Sequence, residues 1–257
     1  MNIYLNAVLA RSYHSKSQAT RIMTEAWVKE NIYCPRCANQ KLAQFPNNAI
    51  VADFYCEKCG SEFELKSKKG ILGKKIADGA YETFCSRITS YNNPDFFILS
   101  YSSLDLCVEN LWFIPKHFFT PAIVEKRKPL SVTAKRAGWI GCNVLLEKIP
   151  WQGRICMIRE RKPVRKEIVF SQVNLSANLE VKNIKDRGWL FDILNCVNEI
   201  KSDSFCLEEM YSFEEELALK HPGNNNIRPK IRQQLQFLRN KGVIEFNGNG
   251  RYMKKSD

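Results

Sequence analysis

The sequence predicts a mixed α/β (α+β) fold with an embedded four-cysteine metal site and a C-terminal winged helix. Three observations support this prediction. Strand and helix patterns alternate in the first part of the chain, two CxxC pairs lie among the strands, and three helical patterns followed by a hairpin close the chain. We therefore expect two domains, one over residues 1–182 and one over residues 183–257.

The first domain combines the periodicities of helices and strands. Its two most apolar and aromatic runs, at 95–102 and 109–115, are typical of central strands. The predicted elements are, in chain order, a helix at 17–31, strands at 49–56 and 61–67, a helix at 77–91, and strands at 95–102 and 109–115. Residues 164–185 are polar without clear periodicity, and we place the domain boundary near their end.

The second domain begins with three helical patterns, at 188–201, 205–221 and 226–242. The last pattern ends in Gly242, a common residue at helix ends. Residues 243–253 then form a predicted hairpin around the tight-turn sequence NGNG. This order of three helices and a hairpin indicates a winged helix-turn-helix.

The charge of the chain favours a polyanionic partner. There are 39 lysines and arginines against 27 aspartates and glutamates in 257 residues, a net charge of +12. Residues 126–166 hold 12 basic and 2 acidic side chains, and residues 223–257 hold 8 and 2. Two basic stretches predict two contact surfaces for nucleic acid, with binding that weakens steeply as salt rises.

Other sequence features bear on the compartment and the cysteines. The chain shows no signal peptide and no run near the ~20 apolar residues of a membrane span. We expect a cytoplasmic protein without membrane association, in which cysteines are thiols or metal ligands. Six cysteines outside the CxxC pairs are expected to be small buried hydrophobes: Cys85, Cys107, Cys142, Cys156, Cys196 and Cys206.

The two CxxC pairs predict a structural zinc site. Cys34 and Cys37 form one pair, Cys56 and Cys59 the other, with 18 residues between the pairs. Four thiolates complete a tetrahedron around zinc and leave no position open for water. The basic residues inside the pairs, Arg36 and Lys58, are placed to offset the negative charge of such a site.

A second constellation suits phosphodiester hydrolysis. Glu64 and Lys66 point to the same face of a predicted strand, and Asp53 ends the preceding strand. Two carboxylates, with the backbone carbonyl of Leu65, are hard ligands for Mg²⁺, and a lysine can orient or deprotonate the attacking water. By itself the pattern is weak, because a solvated strand face with an ion pair has the same residues.

Histidine-based metal chemistry has no support in this sequence. The three histidines, His14, His117 and His221, are isolated and lack metal-ligand spacing. We expect each of them at the surface or at a helix end.

The whole chain closely resembles the DpnI-like methyl-directed type II (type IIM) restriction endonucleases. The matching stretches are YCPRC, NNAIVADFYCEKC, EFELKSKKG, DGAY, NNPDFF, KRAGWIGCN, RGWLFDILNC and IRQQLQFLRNKGVIEFNGNGRY. The resemblance implies a PD-(D/E)xK nuclease core with Asp53, Glu64 and Lys66 as its motif, where Ala52 replaces the usual proline. It also implies cleavage of both strands at adenine-methylated GATC, with the winged helix itself reading the methylated site.

Several side chains are candidates for DNA contact. Lys135, Arg136 and Trp139 lie in a glycine-flanked segment, and the resemblance favours a DNA-wedging tryptophan over an ordinary core residue. Polar positions of the predicted recognition helix and wing complete the set: Lys230, Arg232, Gln233, Gln236, Arg239 and Arg251. Each of these has the alternative of a solvated surface residue. The acidic segment 202–221 is expected to face away from DNA.

Two alternatives to a methyl-directed nuclease remain open at this point. One is a zinc-containing DNA-binding regulator without hydrolytic activity, and the other is a repair nuclease that recognises DNA structure. Magnesium-dependent cleavage separates the first from a nuclease, and the response to methylation separates the second. We expect the chain to act on double-stranded DNA and to be monomeric in solution.

Overall fold

The chain forms a central sheet, a smaller sheet beside it, and a C-terminal winged helix. A computed structural model describes residues 1–46, 52–90 and 93–255. Its helices are α1 (Lys16–Asn31), α2 (Tyr81–Thr89), α3 (Lys166–Ala177), α4 (Ile184–Glu199), α5 (Leu207–Tyr211), α6 (Glu214–Lys220) and α7 (Ile227–Asn240). Within the described ranges, no helix is long and apolar enough to cross a bilayer.

The strands belong to three sheets. They are β1 (Ala43–Gln44), β2 (Phe54–Tyr55), β3 (Glu62–Lys69), β4 (Lys75–Ala80), β5 (Asp95–Ser102), β6 (Cys107–Ile114), β7 (Val124–Lys126), β8 (Gly141–Leu145), β9 (Ile155–Arg159), β10 (Lys162–Pro163), β11 (Ser204–Cys206), β12 (Ile244–Phe246) and β13 (Arg251–Lys254). The central sheet has the order β1-β2-β3-β5-β6-β9-β10, and only β3 and β5 pair in parallel. Helix α2 lies in the connection between those two strands, as a parallel pair requires.

The central sheet is covered on both faces, which explains why β5 is almost wholly apolar. Phe97 and Leu99 of β5 belong to one buried cluster, together with residues of α1 and α3. Phe96 and Ile98 point to the opposite face and pack with the second sheet and the C-terminal helices. Glu64 pairs with Phe96 and Lys66 with Ile98, so both polar side chains lie on this second face.

The second sheet stands over that face, with the strand order β4-β8-β7. Strand β4 pairs antiparallel with β8, where Asp78 opposes Cys142 and Ala80 opposes Gly141. The register shifts between these pairs, so Gly79 forms a β-bulge. Ile76 and Val144 anchor the sheet in the buried cluster that it shares with the C-terminal helices.

The C-terminal elements confirm the predicted winged helix. Helix α4 is followed by β11, the helices α5, α6 and α7, and the hairpin β12–β13, with the sheet order β11-β13-β12. Apolar residues of α7 at helical spacing, Ile231, Leu235 and Leu238, are fully buried. Positive φ angles of +83° at Gly248 and +69° at Gly250 close the wing hairpin.

The part of the chain before α4 and the winged helix pack directly against each other. Phe118 stacks on Phe191 of α4 with ring centroids 4.8 Å apart, and both rings are buried in one continuous apolar cluster. The Trp151 indole N–H donates to the Asn198 side-chain oxygen at 2.9 Å, and the Asn195 amide donates to the Lys148 carbonyl at 2.9 Å.

The structure corrects several local predictions. The predicted helix at 77–91 begins only at Tyr81, because residues 75–80 pair with β8 as a strand. Residues 166–177 form α3 despite their weak periodicity, since Val169 and Val173 are buried against the central sheet. The single predicted helix at 205–221 is a short strand and two short helices. Residues 49–51 of one predicted strand and residue 91 of the predicted helix lie outside the described residues.

His117 is a further correction, since it is buried and not at the surface. Its side chain is only 3% exposed, and its Nε2 lies 2.9 Å from the backbone oxygen of Ser176. Burial, together with nearby Arg36, lowers the pKa of His117 to about 3. The imidazole is therefore neutral in the folded protein at physiological pH. His221 does end a helix, as predicted, and stacks on Trp189.

Acid should destabilise the fold through His117. An unfolded histidine has a pKa of about 6.5, so between that pH and about 3 the unfolded state binds the extra proton and the free energy of unfolding falls as pH falls. His117→Gln keeps a donor for the Ser176 carbonyl but does not titrate. We expect its free energy of unfolding to depend less on pH in this window, by up to about 1.4 kcal/mol per pH unit.

Urea denaturation at several pH values measures this effect. His14→Gln is the matched control, because His14 is exposed and its replacement should leave the pH dependence unchanged. An unchanged slope in His117→Gln would contradict the assignment.

Candidate active site and cysteine cluster

Asp53, Glu64 and Lys66 meet where β2 and β3 begin to pair. The backbone N–H of Asp53 donates to the Phe63 carbonyl at 3.0 Å, and the Leu65 N–H donates to Asp53 Oδ2 at 2.7 Å. The Asp53 carboxylate is thus held on the backbone of β3, next to the residues whose side chains form the remaining motif. Glu64 and Lys66 contact each other on one face of β3, as its alternation requires, and Asp53 is attached to the backbone between them.

Lys66 lies between two carboxylates. Its Nζ is 2.5 Å from Glu64 Oε1 and 2.8 Å from Asp78 Oδ1. Burial lowers the pKa of Lys66, but the two carboxylates raise it more strongly, so the net pKa lies above its ordinary value. The side chain therefore stays an ammonium group at neutral pH, which suits charge stabilisation and hydrogen-bond donation and not proton abstraction.

Glu64 also contacts a second cation. Its Oε2 lies 2.7 Å from an NH1 nitrogen of Arg87 on α2, an ion pair that lacks the alignment of a hydrogen bond. Sequence reasoning missed both Arg87 and Asp78. Asp78 begins the matching stretch DGAY, but that stretch indicates no role for it, and only the packing of α2 and β4 over β3 brings the two residues to the site.

Helix α1 closes the other side of the site. Arg21 NH2 lies 3.9 Å from Asp53 Oδ1, while Arg21 Nε donates to Glu25 at 2.5 Å. Glu25 is buried and also accepts from the Gln44 amide at 2.9 Å. Burial raises the pKa of Asp53, opposed by the Leu65 N–H, and the charge of Glu25 adds to the rise. A nearby cation stabilises the charged form of a carboxylate that is desolvated in this way.

The four predicted zinc ligands form one cluster. Their Sγ atoms all lie within 4.8 Å of one another, with 3.6 Å between Cys34 and Cys59 and 3.5 Å between Cys37 and Cys56. Zinc–sulfur bonds of about 2.3 Å in a tetrahedron require sulfurs roughly 3.8 Å apart, so the donor set fits zinc. Within the described ranges, it is the one group of three or more metal-binding side chains at such distances.

Each cysteine pair forms the same tight knuckle. The Ala38 N–H donates to the Cys34 carbonyl at 3.0 Å, and the Gly60 N–H donates to the Cys56 carbonyl at 2.8 Å. Ala38 and Gly60 have φ angles of +62° and +71°, which reverse the chain after each pair. The six other cysteines lie outside this cluster; four are buried as predicted, and Cys85 and Cys206 are half-buried.

The basic residues of the two knuckles differ in their surroundings. Arg36 makes a bidentate pair with Asp95, with nitrogen–oxygen distances of 2.5 and 2.7 Å. Asp95 also accepts the Lys116 backbone N–H at 2.8 Å. Arg36 therefore ties the first knuckle to the start of β5 while it stays close enough to interact with the charge of Cys34, and Lys58 is exposed.

The candidate wedge segment approaches the active site through the second sheet. The Trp139 carbonyl accepts from Leu130 at 2.9 Å, which closes a turn that presents exposed Lys135 and Arg136. Arg136 lies over the half-exposed Trp139 ring at 4.8 Å. The indole covers Gly141. Gly141 opposes Ala80 of β4, and the bulge at Gly79 separates Ala80 from Asp78.

Two family comparisons match almost the entire chain. The family model DpnI, described as the Dam-replacing family, matches residues 1–182. The family model DpnI_C, described as the Dam-replacing HTH domain, matches residues 185–254. The chain belongs to the DpnI family. This membership confirms the resemblance and makes the chain a methyl-dependent restriction endonuclease with a helix-turn-helix DNA-binding domain.

The HTH part of this DpnI-family chain presents the predicted polar face. Most of the candidate residues are exposed on α7 or the wing: Arg232, Gln233, Gln236, Arg239 and Arg251. Lys230 differs, because it is half-buried, lies 3.4 Å from Asp186 and faces the Trp189 ring. Arg232 donates to the Tyr211 hydroxyl at 2.6 Å, which orients its guanidinium across the helix face.

Loss of one cysteine should remove metal and destabilise the nuclease part. We expect one zinc ion per chain in purified protein and less in Cys34→Ser, which leaves three thiolates. Because a structural zinc site contributes its binding energy to folding, Cys34→Ser should lose several kcal/mol of stability, on the order of a core truncation.

Elemental analysis by mass spectrometry and chemical denaturation check this outcome together. Cys85→Ser is the control, since Cys85 lies outside the cluster and should retain the zinc. Full zinc content and wild-type stability in Cys34→Ser would count against the site.

Proposed function

We propose that this chain is a magnesium-dependent type II endonuclease that cleaves both strands of DNA at adenine-methylated GATC. In this proposal residues 1–182 form a PD-(D/E)xK endonuclease domain with a structural zinc ion, and residues 183–257 form a winged-helix domain that also reads methylated DNA. The observation that carries the proposal lies at the start of β3, where Glu64 contacts Lys66 at 2.5 Å and Asp53 accepts the N–H of Leu65, the residue between them. Membership of the DpnI family supports the methyl-directed target.

Asp53 and Glu64 would hold the magnesium ion, with the Leu65 carbonyl as a further ligand. Their oxygen atoms are hard donors of the kind that magnesium prefers. The donors suit a cation for two reasons. Burial disfavours the charged form of Asp53 unless a cation lies close to it. Glu64 Oε2 accepts no hydrogen bond among the described residues. A bound ion supplies charge stabilisation at the phosphoryl oxygen and an acidified water.

Groups of the protein itself position the metal ligands and the reacting atoms. The Leu65 N–H fixes one Asp53 oxygen and leaves the other turned toward Arg21. The Lys66 ammonium donates to oxygens and is placed to stabilise negative charge that develops on the scissile phosphate. Its raised pKa favours the ammonium form, which would orient the attacking water.

We assign DNA contacts to two surfaces. Lys135, Arg136 and Trp139 lie beside the active site, where the half-exposed indole can enter the duplex and the cations can bind phosphates. On the winged helix, the candidate contacts are Lys230, Arg232, Gln233, Gln236, Arg239 and Arg251. The proposal includes a monomeric chain and a cytoplasmic location, where its DNA substrate would be found.

Plasmid digestion tests the proposal. With magnesium, we expect fragments from a plasmid with adenine-methylated GATC and none from the same plasmid grown without methylation. EDTA should abolish cutting, and Asp53→Ala should lose at least about 10³-fold in rate while it still binds the methylated duplex.

Each alternative has its own outcome in this experiment. Equal cutting of both plasmids would keep the nuclease and reject methyl-directed recognition. Binding without cutting, by folded and zinc-loaded protein, would favour the non-catalytic regulator. Cleavage that survives Asp53→Ala would reject the proposed catalytic site.

Gly141→Ala tests the position of the Trp139 indole without changing its chemistry. A β-carbon at residue 141 would meet the indole at 2.8 Å, so the ring must move. We expect specific cleavage at limiting enzyme to fall about 10-fold or more, mainly through weaker binding of the methylated duplex.

Gly223→Ala is the matched control, because a β-carbon there meets nothing within 4 Å. Fluorescence anisotropy with a labelled methylated duplex measures the affinity of both variants. Wild-type affinity and cleavage in Gly141→Ala would remove the indole from the proposed DNA surface.

A further inference from the structure

We propose that Asp78 is the positioning residue for the Lys66 ammonium during cleavage. This inference rests on the proposed function, since it assigns a role within the same site. Asp78 belongs to neither CxxC pair and to no part of the Asp53–Glu64–Lys66 motif. It reaches the site from the second sheet, which the catalytic motif does not include.

Asp78 makes the better directed of the two contacts to Lys66. The Lys66 Nζ donates a hydrogen bond to Asp78 Oδ1 at 2.8 Å, whereas its 2.5 Å contact with Glu64 lacks hydrogen-bond alignment. The Asp78 side chain is 4% exposed, so little water competes for the ammonium. A hydrogen bond between charged groups in such surroundings is short and strong and restrains the lysine in one orientation.

The carboxylates of Glu64 and Asp78 differ in the number of cations that they contact. Glu64 is a proposed metal ligand and also pairs with Arg87, so its charge is shared among cations. Among the described residues, Lys66 is the one cation within ion-pair distance of Asp78. Asp78 therefore remains a partner for the ammonium while Glu64 is engaged elsewhere.

The β-bulge at Gly79 aims the Asp78 side chain. The Gly79 N–H, left out of the ladder by the register shift, donates to Asp78 Oδ1 at 2.5 Å. The same oxygen thus receives hydrogen bonds from the bulge and from Lys66. A bulge that redirects one side chain beside an active site is a recurrent use of this irregularity.

Burial of the Asp78 carboxylate lowers the stability of the fold. Within the described ranges, Asp78 Oδ2 is buried and accepts no hydrogen bond. A buried oxygen without a partner costs free energy that an apolar side chain would avoid. Such a departure from full hydrogen bonding is typical of functional sites.

A double-mutant cycle tests whether Asp78 acts through Lys66. Asp78→Asn keeps the shape and an acceptor for Gly79 but removes the charge. Single-turnover cleavage of a methylated duplex at saturating magnesium should slow about 10- to 100-fold in Asp78→Asn, the range found for partners of active-site ligands. The dissociation constant for the duplex and the magnesium concentration at half-maximal rate should stay within about twofold of wild type.

The double variant gives the decisive comparison. If Asp78 only positions the lysine, Asp78→Asn should have no further effect in a Lys66→Ala background. Where Lys66→Ala is too slow to follow, Lys66→Arg replaces it in a second cycle. Glu125→Gln is the matched control, because Glu125 is an acid of the same small sheet that pairs with Lys75 and should cleave at the wild-type rate.

Two results would overturn the inference. Asp78→Asn with the wild-type rate would show that the lysine needs no such partner, and equal slowing in the wild-type and Lys66→Ala backgrounds would show an independent role. A wild-type chain that binds but cuts no DNA would reject the proposed function, and the inference with it. Wild-type cleavage beside an unaffected Asp78→Asn would reject the inference alone.

Discussion

The four-cysteine cluster is the constraint on which the candidate active site depends. Strand β2 has only two residues, too few to hold its register against β3 by hydrogen bonds alone. Cys56 and Cys59 lie between the two strands, and Cys34 follows closely after the end of α1. Bringing these thiols together joins the helix that carries Arg21 to the strand pair that carries Asp53 and Glu64.

Charge balance governs the site that this constraint creates. Glu64, Lys66 and Asp78 form a continuous set of contacts under 3 Å, and Arg87 extends it from α2. Every member is largely withdrawn from water, so removal of one charge leaves its partner poorly compensated. The proposed metal ion and the scissile phosphate would add one cation and one anion to this set.

The arrangement of the sheets connects the candidate DNA-contact segment with the candidate active site. Strand β4 carries Asp78, and its neighbour β8 begins directly after Trp139. DNA that displaces or orders this segment would act on a strand that contacts Lys66. The winged helix packs on the same face of the central sheet through Phe118 and Phe191, so both candidate DNA surfaces belong to one apolar framework.

The sequence by itself determined the features that depend on local spacing. These are the two CxxC knuckles, the Glu64–Lys66 alternation on one strand face, and the apolar period of α7 that defines the winged helix. Long-range packing decided the rest. Residues 75–80 became a strand because β8 pairs with them, α3 formed because the central sheet buries one side of it, and His117 was buried between the two parts of the chain. Asp78, Arg87 and Arg21 reached the site from three separate elements, and sequence patterns assign them no role there because their contacts arise only when those elements pack around β3.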